Sequence, residues 1–264
     1  MHDKDIAALA DRLAEARRQR TVIDFLPALA ADLSEADSYK VQFALHDRLI
    51  EGGRDRMAGW KVALTLPAQY EPLKLSGPVF AGLYQSGLKP SGAVFDKGWP
   101  LKAGMECEMV AKMGRDAPKA AQPYTAETIK PFVSNLYCGA EVVENRYADV
   151  TKVNGPGRIA DDVLQAACIV GSEIKDWQGL DFANLQGRSE FEGKEIGGGP
   201  GSNVMGGALI ALAWLANKLI EHGKCLKAGE VVLTGSVHPP VFLPGAGHAK
   251  TEFVGLGGSE FSFR

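Results

Sequence analysis

The sequence lacks the features that mark secreted, membrane-spanning and metal-stapled proteins. Its 264 residues include only four cysteines, which lie far apart and form no CxxC pair, so neither a disulfide framework nor a zinc site is expected. The longest apolar run, residues 208–216, is too short for a membrane span, which needs about 20 residues. No apolar signal-peptide stretch follows the charged residues 1–5. We therefore expect a cytoplasmic protein that does not bind membranes.

An excess of charge of one sign is also missing. The chain has 29 Lys and Arg residues against 32 Asp and Glu residues, a formal charge of -3, and it has no dense basic run. This balance argues against a nucleic-acid partner. Hydrophobic residues make up 45% of the chain and charged residues 23%, as in ordinary globular proteins. A chain of this length can bury a full core without covalent or metal staples.

The first fifty residues have helical patterning. Ile6, Leu9 and Leu13 recur at helical spacing, and residues 34–37 (SEAD) resemble a capping box that begins a second helix. Gly52 and Gly53 are expected to end it. These residues predict a helical N-terminal segment that precedes a different architecture.

From about residue 57, short apolar stretches alternate with glycine and proline, which is typical of strands. One strong helix interrupts them, with Ser202 or Asn203 as its expected cap and leucines every three or four residues from Leu209 to Leu219. The body is therefore predicted to be α+β. We expect two parts, a helical segment over 1–56 and a catalytic domain over 57–264.

The most informative stretch is residues 105–108 (MECE). Alternate side chains of a strand point to opposite faces, so Glu106 and Glu108 share one face. Two unpaired carboxylates that face the interior lose solvation and repel each other, and a divalent cation with a preference for oxygen ligands, Mg²⁺ or Mn²⁺, removes that cost. The alternative is a strand with one wet face that carries two solvated glutamates.

A third carboxylate would favour the metal. Glu141 and Glu144 lie in another strand-like run but point to opposite faces, so only one of them can join the site, and spacing does not choose between them. Lys61 is a lone cation in the apolar stretch 59–65 (GWKVALT). It either holds a substrate carboxylate or carbonyl in a cleft, or is a surface lysine whose stem lies on apolar surface.

Two further features are weaker indicators. The tract 197–203 (GGGPGSN) leads towards the predicted helix and is either an anion-binding turn or a plain connector; it matches neither nucleotide-binding fingerprint. His238 lies on a turn after a strong strand, either as a proton carrier or as a structural residue. No nucleophile elbow of the hydrolases is present.

Taken together, these residues resemble the 2-keto-4-pentenoate hydratase family of the fumarylacetoacetate hydrolase-like superfamily, which also includes the 4-oxalocrotonate decarboxylases. The resemblance runs from end to end in family order, and residues 213–235 are its most specific part. It is carried by residues 34–43 (SEADSYKVQF), 59–65, 105–108, 140–143 (AEVV), 214–219 (WLANKL) and 226–235 (LKAGEVVLTG), and more loosely by 255–259 (GLGGS).

The resemblance implies a mixed β-sheet rolled into an unclosed barrel after the helical segment. It also implies a Mg²⁺ or Mn²⁺ site with Glu106, Glu108 and Glu141 as ligands and Lys61 as the lysine that assists at the substrate. The implied reaction adds water to a 2-hydroxy-2,4-dienoate, or its 2-keto-4-enoate tautomer, in aromatic-compound catabolism. The resemblance also implies a homo-oligomer, alone or with a decarboxylase of the same pathway. It implies no nucleotide cofactor.

The sequence also departs from the family pattern. Pro78-Val79 stands where the hydratases usually have Pro-Asp, and Gly206-Gly207-Ala208 stands where they have Gly-His-Pro. An Ala-Asp-Asn-Ala-Ser run appears as residues 160–164 (ADDVL). We predict that Asp162 or His238 replaces the lost acid–base groups, and that Lys61, Ser202 and Thr234 contact the substrate. Decarboxylation of a 2-oxo diacid, a tautomerase or C–C hydrolase activity on the same scaffold, and a partner subunit without activity remain alternatives.

Overall fold

Helices come first and strands dominate the rest of the chain in the computed structural model, which describes residues 1–264. The helices are α1 (Asp3–Gln19), α2 (Leu26–Leu29), α3 (Glu35–Ile50), α4 (Tyr70–Leu73), α5 (Ala126–Ile129), α6 (Gly155–Ala160) and α7 (Ala208–Glu221). The strands are β1 (Met57–Ala63), β2 (Val79–Tyr84), β3 (Leu88–Pro90), β4 (Ala93–Phe95), β5 (Ala103–Met113), β6 (Val133–Glu144), β7 (Gln165–Ile174), β8 (Gln186–Phe191), β9 (Lys194–Pro200), β10 (Val231–Ser236), β11 (Val241–Phe242), β12 (Gly247–Phe253) and β13 (Gly257–Phe263).

The two predicted N-terminal helices are α1 and α3. Ile6, Leu9 and Leu13 of α1 are buried, as their spacing indicates. The backbone N–H of Asp37 donates to Ser34 Oγ (3.1 Å), which caps α3. The helix ends just before Gly52, whose φ of 67° is left-handed. The segment packs closely on the body, since α3 places Tyr39 in the main core, and the division at residue 56 stays a prediction.

Two sheets form the body. In the larger sheet the strands follow the order β2-β1-β10-β5-β6-β7-β3, with β11 on the end of β5. The pairs β1–β10 and β3–β7 are parallel and the other pairs are antiparallel. The second sheet has the order β4-β13-β12-β8-β9. The two ends of the larger sheet are not joined, which confirms the predicted α+β fold with an unclosed, rolled mixed sheet.

Helix α7 supplies much of the main core. Its leucines Leu209, Leu212, Leu215 and Leu219 are all buried in a cluster of 35 residues, as their spacing predicts. The stretch Gly201–Glu221 is long and apolar enough to cross a membrane by length and composition, and 56% of its most apolar window is buried within the protein. Core helices with this packing pass the same test.

The predicted cap of this helix is wrong. The tract 197–200 belongs to strand β9, which pairs with β8, and α7 begins only at Ala208, after Gly207 and without a side-chain cap. The glycines are there because neighbouring groups come close: a Cβ on Gly197 would lie 3.0 Å from the ring of His238. The tract is therefore part of the sheet and does not form an anion-binding helix start.

Candidate metal centre

Three glutamates meet on one face of the larger sheet. Strand β5 pairs with β6 so that Glu106 lies directly opposite Glu141, and Glu108 follows on the same face. One carboxylate oxygen from each of the three lies within 4.8 Å of the others. Glu144 points away, where it bonds to Arg146 (3.1 Å) and to the backbone N–H of Leu101 (2.7 Å). The pairing register thus answers the choice that sequence spacing left open.

Burial makes this cluster electrostatically unfavourable without a counter-charge. Glu108 and Glu141 are each 1% exposed, and Glu106 is half-buried. Burial and the neighbouring Glu141 charge raise the pKa of Glu106 to about 8. Burial, with the charges of Glu141 and Glu106, also raises the pKa of Glu108, and burial raises the pKa of Glu141 in spite of Lys61. Positive charge is therefore needed to hold all three as carboxylates.

Lys61 supplies one positive charge. It lies on β1, is 1% exposed, and its Nζ donates to Glu141 Oε1 (2.6 Å) and to the carbonyl oxygen of Val163 (2.7 Å). This burial excludes the surface-lysine interpretation, and contact of Lys61 with a substrate stays a prediction. One ammonium group balances one of the three carboxylates, and two remain.

A backbone group that the sequence analysis missed completes the contacts of Glu108. The register of β10 against β5 shifts between Leu233 and Ser236, a β-bulge that turns the N–H of Gly235 towards Glu108 Oε2 (2.8 Å). Gly235 has a φ of 108°, and a Cβ there would meet Thr65 Cγ2 at 2.7 Å. Glycine is needed at this position for both reasons. The glycine at the end of a strong strand was the available sequence signal.

The carbonyl that receives Lys61 belongs to a strained turn. Asp162, Val163 and Leu164 have φ values of 53°, 47° and 64°, three successive left-handed residues without a glycine. Such backbone persists only where the surroundings hold it in place, and the strain lies beside the carboxylate cluster. Nothing in the local sequence indicates this conformation.

Asp162 holds the turn through contacts with residues outside the cavity lining. Its carboxylate accepts hydrogen bonds from His46 Nε2 (2.7 Å) and Tyr84 OH (2.8 Å), and it forms an ion pair with Arg17 (3.1 Å). Burial acts to raise the pKa of Asp162, but the charges of His46 and Arg17 outweigh it and keep the pKa well below its usual range. The predicted acid–base residue is therefore fully enclosed in a network that supports the turn.

A cavity of about 100 Å³ opens beside the cluster. Its charged lining residues are Lys61, Glu106, Glu108 and Arg158, and Thr65, Gln69 and Ser236 add polar groups. The remaining wall is apolar, with valine, leucine, alanine and proline side chains. Neither Val79, which is buried in the main core, nor Gly207 lies in the lining.

The other sequence candidates lie outside this lining. Ser202 is exposed on a turn after β9, and its backbone N–H donates to the carbonyl of Ala183 (2.9 Å). Thr234 is buried, and its hydroxyl donates to the carbonyl of Met109 (3.2 Å). Their predicted contacts with substrate have no support in this geometry and stay predictions.

His238 is also outside the lining, with both ring nitrogens engaged. Nδ1 lies 2.7 Å from the carbonyl oxygen of Pro239 and Nε2 lies 2.7 Å from Ser189 Oγ. A carbonyl oxygen only accepts, so Nδ1 carries the proton and Nε2 accepts from the serine in the neutral tautomer. Burial lowers the pKa of His238, which favours that neutral form.

Comparison with known proteins gives relatives over the whole chain. A 2-keto-4-pentenoate hydratase of Burkholderia vietnamiensis is 27% identical over 261 residues, covering 99% of this chain and 98% of the relative. A 4-oxalocrotonate decarboxylase of Pseudomonas putida is 24% identical over 257 residues, covering 97% and 96%. The solved structure of 4-oxalocrotonate decarboxylase from Pseudomonas putida G7, complexed with magnesium and adipate, superposes with a TM-score of 0.90 at 22% identity and covers 100% and 99% of the two chains.

The chain is thus similar from end to end to the 2-keto-4-pentenoate hydratases and has the fumarylacetoacetate hydrolase-like fold. This confirms the resemblance found in the sequence. No family model matches the chain. The carboxylate set also fits a divalent metal by its own chemistry, since it offers three hard oxygen donors with raised pKa values around an incompletely balanced charge.

Proposed function

We propose that the chain is a divalent-metal-dependent hydro-lyase that adds water to a 2-hydroxy-2,4-dienoate or its 2-keto-4-enoate tautomer. The product is a 4-hydroxy-2-keto acid, as in aromatic-compound catabolism. The carrying observation is that Glu106, Glu108 and Lys61 line one cavity, with Glu141 bonded to Lys61 behind them. Full-length similarity to hydratases supports the same reaction.

Glu106, Glu108 and Glu141 would hold the ion, with Mg²⁺ or Mn²⁺ favoured because all three donors are carboxylate oxygens. The ion, when bound, supplies positive charge that stabilises an enolate at the 2-oxygen of the substrate. The magnesium in the 4-oxalocrotonate decarboxylase structure supports the same class of ion in this fold.

The chain's own groups would position the substrate and move protons. Lys61 Nζ is fixed by Glu141 and the Val163 carbonyl, so it can donate a proton at the cavity wall without moving its stem. The N–H of Gly235 fixes Glu108. The apolar lining lowers the local dielectric constant, which strengthens each of these interactions.

Decarboxylation of a 2-oxo diacid of the 4-oxalocrotonate type is the second candidate, and one observation favours it. The cavity lining contains no aspartate and no histidine, and the positions where hydratases have them, Val79 and Gly207, do not reach it. Loss of CO₂ requires stabilisation of an enolate and a proton donor, and it requires no activated water. A partner subunit that binds metal without turnover is the third candidate.

We also propose that the protein is cytoplasmic and assembles as a homo-oligomer, alone or with a decarboxylase of the same pathway. The related hydratases and decarboxylases support a small organic acid as substrate.

The test follows the ultraviolet absorbance of freshly generated 2-hydroxypenta-2,4-dienoate with Mg²⁺, Mn²⁺ or EDTA, for wild type and Glu106→Gln. Metal-dependent formation of 4-hydroxy-2-oxopentanoate, absent in the variant, is expected. Release of CO₂ from 4-oxalocrotonate without hydration would establish the second candidate. Metal binding with neither reaction would establish the third.

A further inference from the structure

Arg158 is a second cation at the same cavity, and its charge has no partner in the protein. It follows the N-terminal turn of α6, which Asn154 caps by accepting the N–H of Gly157 (2.8 Å). No carboxylate oxygen lies within 4.0 Å of its guanidinium, in contrast to Arg17 and Arg146, which each bind buried aspartates.

The guanidinium is held in place by backbone carbonyls. Nε donates to the carbonyl of Val153 (3.1 Å) and Nη2 donates to the carbonyl of Val150 (2.9 Å). An arginine has five N–H donors, so three are left after these two bonds. The side chain is half-buried and lines the cavity, and burial lowers its pKa because no acid compensates the lost hydration.

The charges of the cavity also leave Arg158 unbalanced. Three carboxylates face Lys61, and a divalent ion at the glutamates would balance the two negative charges that Lys61 leaves. Arg158 then adds one positive charge, which is fixed in place, partly desolvated and not balanced by any negative charge. Arginine binds carboxylates through two parallel N–H bonds, and the cavity wall around it is mostly apolar.

We infer that Arg158 binds a second carboxylate of the substrate, remote from the 2-keto acid group that the metal end of the cavity receives. The substrate class is therefore a 2-keto or 2-hydroxydienoic diacid, and Arg158 is the residue that selects it over the monoacid. This inference rests on the proposed function for the position of the 2-keto acid group. A diacid is a substrate for hydration or for loss of one carboxylate, so the inference holds for either reaction.

Two unreactive acids isolate the role of Arg158. 2-Oxoadipate and 2-oxohexanoate have the same 2-oxo acid group and chain length, and they differ only in a terminal carboxylate or methyl group. Calorimetric titration of the Mg²⁺-loaded protein measures both dissociation constants without turnover. Wild type should bind 2-oxoadipate about 10–100-fold more tightly, as a hydrogen-bonded charge pair gives. Arg158→Gln should remove that preference and leave 2-oxohexanoate binding unchanged.

Arg158→Lys keeps the charge but loses the paired donors, so it should retain part of the preference for 2-oxoadipate. Arg54→Gln is the control, since Arg54 is an exposed arginine outside this cavity, and it should retain the whole preference. A wild type that binds both acids equally, or an Arg158→Gln variant that weakens both equally, would overturn the inference and leave the hydratase assay untouched. Failure of the Mg²⁺-loaded wild type to bind either acid would contradict the proposed function as well.

Discussion

Lys61 Nζ lies 2.6 Å from Glu141 Oε1, although Lys61 is on β1, Glu141 is on β6, and strands β10 and β5 lie between these two in the sheet. Three strand spacings are about 14 Å in a flat sheet, farther than the two side chains reach together. The contact therefore depends on the curl of the sheet, which brings β1 and β6 to face each other across its concave side. The rolled sheet is what makes a lysine and three glutamates one site.

Replacing this lysine tests the pair directly. Lys61→Met should lower kcat by about 10²–10⁴-fold, the usual contribution of a positioned proton donor. Without Lys61 the buried Glu141 has no ion-pair partner in the metal-free protein, so the melting temperature should fall and its rise on addition of Mg²⁺ should grow. Kinetics and thermal unfolding with and without Mg²⁺ measure both effects. Lys40→Met, at an exposed lysine, is the control, and wild-type kcat in Lys61→Met would exclude a catalytic lysine.

The raised pKa values predict how metal binding and stability depend on pH. Glu106 titrates at about 8 in the folded protein against an ordinary value of 4.5, so it retains a proton at neutral pH when no metal is bound. Metal binding should release protons, and the dissociation constant for Mg²⁺ should decrease as the pH rises from 6 to about 9. Titration calorimetry in buffers of different ionisation enthalpy counts the protons.

Linkage gives the sign of the stability effect. Between pH 4.5 and about 8 Glu106 holds more proton in the folded metal-free protein than in the unfolded chain, so the contribution of Glu106 to the free energy of unfolding should fall as the pH rises through that window. Glu106→Gln and saturating Mg²⁺ should each remove this contribution, which is measured as the difference in slope from the metal-free wild type. A metal-free wild type and a Glu106→Gln variant whose stabilities depend on pH in the same way from pH 5 to 8 would contradict the raised pKa values.

Strand periodicity was enough to place Glu106 and Glu108 on one face, because a strand alternates whatever its neighbours are. The choice of Glu141 over Glu144 was beyond sequence spacing, since it depends on the register in which β6 pairs with β5. The helices α1, α3 and α7 were predictable for the same local reason, with leucine spacing and the Ser34 cap as their signals.

The groups that spacing could not find act through the backbone or through tertiary packing. The Val163 carbonyl and the Gly235 N–H owe their positions to left-handed residues and a bulge, which side-chain patterns do not encode. The sequence does not distinguish Arg158 from the other arginines, because only the structure shows that its guanidinium bonds to backbone carbonyls and to no carboxylate. The tract at 197–200 was misleading because glycine occurs both in turns and where a neighbouring group comes close to the backbone, and here the second reason applies.

Asp162 should prove to be a positioning residue. Asp162→Asn puts an amide where His46 and Tyr84 need an acceptor, while Arg17 keeps its ion pair with Asp161, so we expect a loss of about 1–3 kcal/mol in the free energy of unfolding. Chemical denaturation measures that loss, and Asp24→Asn, at an exposed aspartate, is the control. A catalytic Asp162 would show the reverse pattern, with unchanged stability and a kcat lowered by about 10²-fold or more.

His238 should affect stability more than turnover. His238→Gln loses the paired contacts to Ser189 and Pro239, which should lower the free energy of unfolding by about 1–3 kcal/mol. The lowered pKa means that the folded wild type takes up fewer protons than the unfolded chain below the ordinary value of 6.5. The contribution of His238 to the free energy of unfolding should therefore fall as the pH drops through this range, and the variant should lose that contribution.

The same variant decides whether the histidine carries a proton in the reaction. Ser189 and Pro239 hold the ring outside the cavity, so the substitution should change kcat by less than about tenfold. Loss of a general acid or base would lower kcat by about 10²–10⁴-fold. His248→Gln, at an exposed histidine, is the matched control. A large loss of kcat in a His238→Gln protein of near-native stability would mean that the ring leaves Ser189 during turnover, because only a freed Nε2 could accept a proton from the substrate or from water.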